Sequence, residues 1–213
     1  MGRIVILFIT VCALFFLSVF CVRDEKAKEA ETEEIVEVQR CASKAEACTK
    51  HVLKAGGKSE ISGGGAEASF AGVSIAGKGR YEISGTLKDG QICVAAEDAP
   101  ELVFDNVKVH SRKGAALTVT GGGAKIVLTE GSVNRLSDAC EYGAGEFTAA
   151  CVSAENSLVI EGEGSLFVSG NYEDGIACGE ELRIEGGSVN VSAVRNALKG
   201  ENIVLAGGNV VFM

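Results

Sequence analysis

The chain has 213 residues, with 20 Lys and Arg against 29 Asp and Glu and a net charge of −9 at pH 7. The charge is uneven, because residues 81–213 hold nine Lys and Arg but 19 Asp and Glu. This excess of negative charge argues against nucleic acid as a partner, since phosphate neutralisation dominates nucleic-acid binding, and it favours metal cations or neutral ligands.

An apolar segment opens the chain. Residues 4–22 form an apolar run of 19, a length between a long signal-peptide core and a minimal membrane span. No small-residue cleavage site follows, so residues 1–22 are predicted to be an uncleaved helical membrane anchor or, alternatively, a removed signal peptide. Lipidation of Cys21 is a weaker alternative because the bulky Phe20 precedes it. The segment predicts export, with the protein anchored outside the cytoplasmic membrane or at the cell surface, or else secreted.

Residues 23–57 are rich in Glu, Lys and Ala and predict a charged helix that acts as a stalk or as a cap on the following domain. Apolar or small residues recur there at near-heptad spacing, at Val38, Cys41, Ala45, Cys48 and Val52. Because these residues are small, the pattern is more typical of a solvated helix with one apolar face than of a coiled coil.

A repeated unit fills the chain from about Gly90 to the C-terminus. Each copy has a small residue at a turn, a short strand, a corner rich in Gly, Asn or Asp, and another strand. The copies read DGQICVAAEDAPELVFDNVKV, KGAALTVTGGGAKIVLTEGSV, AACVSAENSLVIEGEGSLFV, DGIACGEELRIEGGSVNV and NALKGENIVLAGGNVVF. Equivalent corners are 24, 35, 26 and 22 residues apart. This period is typical of a solenoid, and the second interval predicts an insertion.

The strand segments of each unit, such as residues 125–128 and 158–160, are β-branched and too short for helices. The regular Leu ladder of leucine-rich repeats is absent. Residues 58–213 are therefore predicted to fold as an all-β, single-stranded parallel β-helix whose coils stack over a shared interior. One interior stack is predicted from Ile92, Leu117, Cys151, Ile176 and Leu198.

Polar side chains stand at corners of the predicted coils. Asp174 and Asn196 are predicted to lie on adjacent coils about 4.8 Å apart. Asn171 is close to this pair, and Asp138 belongs to a second polar cluster at the start of the insertion. Because calcium prefers oxygen ligands, these four residues are predicted to bind it. The alternative is that they only form turns, since Asp and Asn bond their own backbone.

The insertion and its surroundings carry aromatic residues and cysteines. Tyr142 and Phe147 in the insertion, and Tyr172 beside an Asp-Gly corner, are candidates for stacking on sugar rings. Their alternative role is packing over the edge of a coil. Cys140 and Cys151 flank the inserted segment, and a disulfide between them is predicted to close it.

The chain ends at Met213, inside a predicted strand. An uncapped coil exposes its backbone edge and its apolar interior. This end is therefore predicted to be covered by a partner, for example through self-association, or to belong to a shortened form of a longer domain.

Three stretches in linear order resemble the bacterial carbohydrate-binding domain family of calcium-containing parallel β-helices, which are similar in shape to pectate lyases. They are YEISGTLKDGQICV, GGAKIVLTEGSVNRLSD and SLVIEGEGSLFVSGNYEDGIACGEELRIEGGSVNVSAVRNALKGENIVLAGGNVVF. The resemblance implies bound calcium and binding of plant-type polysaccharides, including cellulose and acidic sugars, without a lyase reaction as a family property. The chain departs from the family in stopping early and in its many cysteines.

The predicted function is non-catalytic, calcium-assisted polysaccharide binding outside the cell. An acidic polysaccharide is expected to be repelled by so acidic a surface unless calcium bridges the two, whereas neutral glycans face no repulsion. One alternative is a lyase acting on uronic-acid polymers, with Arg195 or Lys199 as the base. Another is a structural adhesin or spacer without a small ligand.

Overall fold

The computed structural model describes residues 49–53, 60–62, 65–69, 72–142 and 149–213. Within these ranges the chain forms 19 β-strands and no helix. The described residues therefore contain no helical segment able to cross a membrane. The predicted anchor, residues 1–22, and residues 23–48 of the predicted stalk lie outside the described residues.

The strands are short, as the β-branched segments predicted. In chain order they are β1 (Thr49–Leu53), β2 (Glu60–Ser62), β3 (Ala66–Ser69), β4 (Gly72–Ile75), β5 (Arg80–Leu87), β6 (Gln91–Ala96), β7 (Glu101–His110), β8 (Leu117–Gly121), β9 (Ala124–Leu128), β10 (Val133–Ser137), β11 (Ala150–Ala154), β12 (Leu158–Gly162), β13 (Ser165–Gly170), β14 (Asp174–Cys178), β15 (Glu181–Ile184), β16 (Ser188–Ala193), β17 (Leu198–Lys199), β18 (Asn202–Leu205) and β19 (Asn209–Phe212).

Strand pairing, parallel except between β1 and β2 and between β3 and β4, builds two sheets. Seven strands form the first sheet, in the order β17-β14-β11-β8-β6-β4-β3. In the second sheet, the long strand β7 joins two arms. Its residues 101–104 pair with β9, which leads to β12, β15 and β18 in the first arm. Its residues 108–110 pair with β10, which leads to β13, β16 and β19 in the second arm. The predicted parallel β-helix is confirmed, with about five turns.

Alternation along each strand places the core. In β9, Ala124, Ile126 and Leu128 are buried, while the residues between them are half-buried on the outer face. Because the side-chain period of a strand is two, the same alternation recurs in β12, β13 and β16. Each coil thus contributes apolar side chains to one shared interior that only the next coil can cover.

Four of the five residues predicted for the interior stack are correct, namely Ile92, Leu117, Ile176 and Leu198, and Cys151 is wrong. Val152, and not Cys151, pairs with Leu117 on one side and with Ile176 on the other. The cause is the insertion, which lies between β10 and β11 as the long interval predicted. The sequence does not show how its extra residues divide between loop and strand, and a slip of one residue changes which side chain faces the core. Cys151 is buried beside Val152.

Part of the predicted helical stalk is a strand. Residues 49–53 form β1, which pairs in parallel with β5 and antiparallel with β2. Val52, the last residue of the near-heptad pattern, lies in this strand. Pairing with the first coils outweighs the local helical preference, because intrinsic propensity is a weak prior against tertiary contacts.

The last coil has one open edge. Its three strands β17, β18 and β19 each pair with one neighbour, on the preceding coil. Ile203, Leu205 and Phe212 have 45%, 51% and 53% of their surface exposed. Self-association through this coil stays a prediction.

Replacing Leu117 by Ala tests the stack. Leu117 is fully buried between Ile92 and Val152, so Leu117→Ala is expected to lower the free energy of unfolding by about 2–5 kcal/mol. The matched control is Thr118→Ala, because Thr118 is the next residue of the strand and is half-buried on the outer face. Urea denaturation followed by circular dichroism measures both, and equal losses would contradict the assigned register.

Candidate functional site

A groove of about 550 Å³ lies on the outer face of the second sheet, where β5, β7 and β10 run side by side. Its lining includes five basic side chains and one acidic one. They are Lys88, Lys108, His110, Arg112, Arg135 and Asp89.

Parallel register brings three of these basic side chains together, those of Lys108, His110 and Arg135. Arg135 pairs with Lys108, which in turn pairs with Thr86, and Ser137 pairs with His110. Neighbouring strands lie about 4.8 Å apart, so side chains at paired positions form a row. The alternate residues Val109 and Leu136 are buried in the core. Lys108, His110 and Arg135 therefore point outward from adjacent strands, while Lys88 and Arg112 lie just beyond the ends of β5 and β7.

The groove gathers positive charge on an acidic domain. It holds four of the nine Lys and Arg between residues 81 and 213, but only one of the 19 Asp and Glu. That one, Asp89, lies 4.0 Å from Arg112, and both side chains are exposed. An exposed pair at this distance is screened by water and contributes little. The groove thus offers a local site for an anionic ligand. The net charge of the chain had instead predicted that acidic polysaccharides would be repelled.

Sequence reasoning missed this site for a definite reason. The only local signal is the spacing of two in a strand, Lys108 with His110 and Arg135 with Ser137, which puts each pair on one face. The two strands are 27 residues apart in the chain, and net charge carries no information on position. Only the pairing of β7 with β10 places the side chains of these two strands on one surface.

The row of side chains continues past the cations onto an aromatic ring. Arg135 pairs with Phe167 on β13, and its guanidinium carbon lies 4.4 Å from the ring centroid. This is a cation–π contact, which ties the guanidinium of Arg135 to the neighbouring strand. The row then becomes neutral at Asn190 on β16.

The other end of the groove meets the insertion through Ser137. The side-chain amide of Asn171 donates to Ser137 Oγ and to the Asp138 carbonyl, both at 2.9 Å. Asn171 follows β13, and the next residue is Tyr172. These bonds therefore tie the residue that precedes Tyr172 to the groove-lining Ser137.

Two of the three predicted sugar-stacking residues lie together. The rings of Tyr142 and Tyr172 are stacked, with centroids 4.9 Å apart and planes at 22°. Tyr172 has 38% of its surface exposed, and Tyr142 is half-buried. The third residue, Phe147, lies outside the described residues. The pair forms an aromatic surface beside the groove, which we call the tyrosine pair.

A buried carboxylate supports the tyrosine pair. Asp138 is 1% exposed, and its Oδ1 accepts a bond of 2.5 Å from the backbone N–H of Asn171. The Tyr142 hydroxyl lies 2.9 Å from Asp138 Oδ2 and 2.8 Å from the Ala150 carbonyl. Burial raises the pKa of the Asp138 carboxyl, and the hydrogen bonds from Asn171 and Tyr142 oppose that rise. The Tyr142 hydroxyl therefore has two acceptors for its single proton, the Asp138 carboxylate and the Ala150 carbonyl.

The four predicted calcium ligands lie in two hydrogen-bonded pairs. One is Asp138 with Asn171, and the other is Asp174 with Asn196. Asp174 Oδ1 accepts bonds from the backbone N–H and the side-chain amide of Asn196, at 3.1 and 2.8 Å. Its Oδ2 lies 3.4 Å from Lys199 Nζ.

These pairs do not fit a calcium ion as they stand. Each holds one carboxylate, whereas calcium takes six to eight oxygen ligands. In the described part of the chain, no three His, Cys, Asp or Glu residues are grouped to hold a metal. Both carboxylates accept hydrogen bonds from the backbone of the next coil, and calcium binding itself stays a prediction.

The predicted disulfide is not formed, because Cys140 and Cys151 are both free thiols. Cys151 belongs to the buried core and Cys140 is exposed. Burial raises the pKa of the Cys151 thiol, and the negative charge of Asp138 raises it further. A protonated, buried thiol acts as a small apolar side chain.

Replacing Asp138 by Asn removes the charge and keeps the shape. Because the folded pKa of Asp138 is raised, the folded chain binds its proton more tightly than the unfolded chain does. This contribution to stability is full below the ordinary Asp pKa of about 3.9 and is lost as pH rises through the folded value. As pH is raised towards 7, wild type loses this contribution and Asp138→Asn does not, so we expect the free energy of unfolding of the variant to increase relative to that of wild type. Urea denaturation at several pH values measures this, and a difference that does not change with pH would contradict it.

The chain has recognisable relatives. Residues 69–212 match the family described as carbohydrate-binding domain-containing protein. A protein of that description from Acetivibrio thermocellus (strain ATCC 27405) is 35% identical over 131 residues, which cover 57% of this chain and 45% of the relative. This chain therefore spans less than half the length of that relative.

A solved structure shares the fold. It is described as the gadolinium derivative of the polysaccharide lyase-like protein from C. thermocellum. It matches with a TM-score of 0.74 and 31% identity, covering 78% of this chain and 70% of the other. The family match spans most of the parallel coils, including the groove and Tyr172. By this match, the chain belongs to the carbohydrate-binding domain-containing protein family.

Proposed function

We propose that this domain binds an anionic polysaccharide without cleaving it, with the acidic groups of the glycan in the basic groove and a sugar ring on the tyrosine pair. The observation that carries the proposal is the gathering of four Lys and Arg in one groove of an otherwise acidic domain. Family membership supports carbohydrate as the ligand class.

The basic side chains suit the carboxylates of uronic acids. Arg135 and Arg112 present planar guanidinium groups that can bind a carboxylate through two parallel hydrogen bonds. Lys108 adds a flexible point charge on the adjacent strand. Because cations stand on successive strands, an extended polymer lying across them meets more than one, and several weak contacts then act together.

The tyrosine pair supplies a different kind of contact. Tyr172 is 38% exposed and directly follows Asn171, which bonds the groove-lining Ser137, and sugar rings pack their apolar faces on exposed aromatic residues. An aromatic ring has two rotatable bonds, so fixing it costs little conformational entropy. The groove therefore provides charge recognition, and the pair provides ring recognition.

Lyase activity is the second candidate, because the solved relative is described as polysaccharide lyase-like. The two residues predicted as the base do not favour it. Arg195 Nη1 lies 2.7 Å from Glu173 Oε2, and Lys199 Nζ lies 3.4 Å from Asp174 Oδ2. Each of these two nitrogens is already paired with a carboxylate oxygen of the protein. Ultraviolet absorbance of unsaturated ends would reveal cleavage, and we expect none to form.

Charge removal in the groove tests the proposal. Lys108→Gln and Arg135→Gln are each expected to weaken binding to polygalacturonate about tenfold, since a hydrogen bond to a charged group contributes about 1.5–3 kcal/mol. Affinity electrophoresis or calorimetry measures the change, and binding should weaken as salt is added.

Two controls separate local from general charge effects. Lys125→Gln removes the same charge from the first arm, where Lys125 pairs with Glu161 at 3.4 Å, and should leave binding nearly unchanged. Fully methyl-esterified polygalacturonate keeps the sugar chain and removes its charge, so it should bind much more weakly. Equal effects of Lys125→Gln and Arg135→Gln, or equal binding of the two polymers, would rule the groove out.

Calcium assistance and display outside the cytoplasmic membrane remain part of the proposal that the sequence suggested. A chelator added to the same assay tests the metal. Because the groove carries its own positive charge, we expect polygalacturonate binding to persist in chelator at low salt. Complete loss, restored by added calcium, would show instead that a calcium bridge dominates.

A further inference from the structure

Asp138 connects two segments of the chain that carry the tyrosine pair. It lies at the end of β10, where the insertion begins. Its Oδ1 accepts from the backbone N–H of Asn171, 33 residues away, and its Oδ2 is bonded to Tyr142 in the insertion. One side chain therefore contacts both segments.

The position of each ring depends on these bonds. Tyr172 directly follows Asn171, whose backbone and side chain make three hydrogen bonds to residues 137 and 138. Tyr142 is fixed through its hydroxyl, which lies between Asp138 Oδ2 and the Ala150 carbonyl. The 4.9 Å stack of the two rings is thus set from Asp138.

The arrangement is more than a way of filling the core. Tyr172 remains 38% exposed although its partner ring is held by a carboxylate that is itself 1% exposed. Burying a carboxylate is unfavourable unless it is hydrogen-bonded, and both oxygens of Asp138 are. The buried group holds a surface aromatic pair beside the basic groove.

We infer that Asp138 is a positioning residue that sets Tyr142 and Tyr172 as a rigid surface for the apolar face of a sugar ring. The inference rests on the proposed function for its ligand. Its structural part, the dependence of the ring pair on Asp138, can be tested without any ligand.

Tyrosine spectroscopy tests the structural part. The chain has three tyrosines and no tryptophan, and Tyr81 is buried with its hydroxyl donating to the Gly77 carbonyl at 2.9 Å. The near-ultraviolet circular dichroism signal of tyrosine therefore comes from the stacked pair and from Tyr81, whose contribution should stay constant. Asp138→Ala is expected to lose the coupled signal of the pair. Asp138→Asn is expected to keep it, because the amide oxygen accepts from Asn171 and the amide N–H₂ donates to Tyr142.

Binding to polygalacturonate tests the functional part. Asp138→Ala and Tyr172→Ala should each weaken binding about tenfold, and the double variant should be no weaker than either alone, because both remove the same surface. Asp138→Ala combined with Lys108→Gln should instead show the product of the two losses. Retention of the coupled signal in Asp138→Ala, its loss in Asp138→Asn, or multiplied losses in the Asp138/Tyr172 double variant would overturn the inference.

Two further outcomes are distinguishable. If wild type binds no polyuronate, the proposed function fails, while the circular dichroism comparison still decides whether Asp138 sets the pair. If Asp138→Ala does not fold, Tyr142→Phe removes only the hydroxyl that reaches Asp138 and keeps the ring. It should weaken binding several-fold, and unchanged binding would overturn the inference.

Discussion

Stacking in register is the constraint on which the rest of this protein depends. One coil has too few residues to enclose its own apolar side chains, and only the neighbouring coils remove them from water. Parallel pairing then repeats residue against residue, as Leu117 with Val152 and Val152 with Ile176. Inward positions become continuous apolar rows. Outward positions become rows of polar, charged or aromatic side chains, and such a row forms part of the candidate site.

The same constraint separates the charges of an acidic domain. Lys108 and Arg135 are far apart in the chain, yet they are paired on adjacent strands. Like charges on paired positions repel each other, and the cation–π contact of Arg135 with Phe167 opposes that repulsion. An anionic ligand relieves the remaining repulsion. Under the proposed function, the local field of the groove, and not the net charge, would therefore decide which glycan the surface favours.

The insertion adds a second contact without disturbing the stack. In the chain it lies between β10 and β11, and Val152 of β11 resumes the interior row. Between these points Asp138 takes hydrogen bonds from residues on both sides of the corner. The scaffold supplies rigidity and the insertion supplies Tyr142, a division typical of binding sites carried on loops.

The sequence by itself determined the coil period, the short strands, the place of the insertion, and Tyr142 and Tyr172 as aromatic candidates. These follow from spacing and residue type, which local physics reads directly. Tertiary structure alone decided that Val152 and not Cys151 joins the stack, that residues 49–53 form a strand, and that four cations share one groove. Each of those outcomes depends on which residues pair across coils, and pairing is set by the whole stack, not by any one segment.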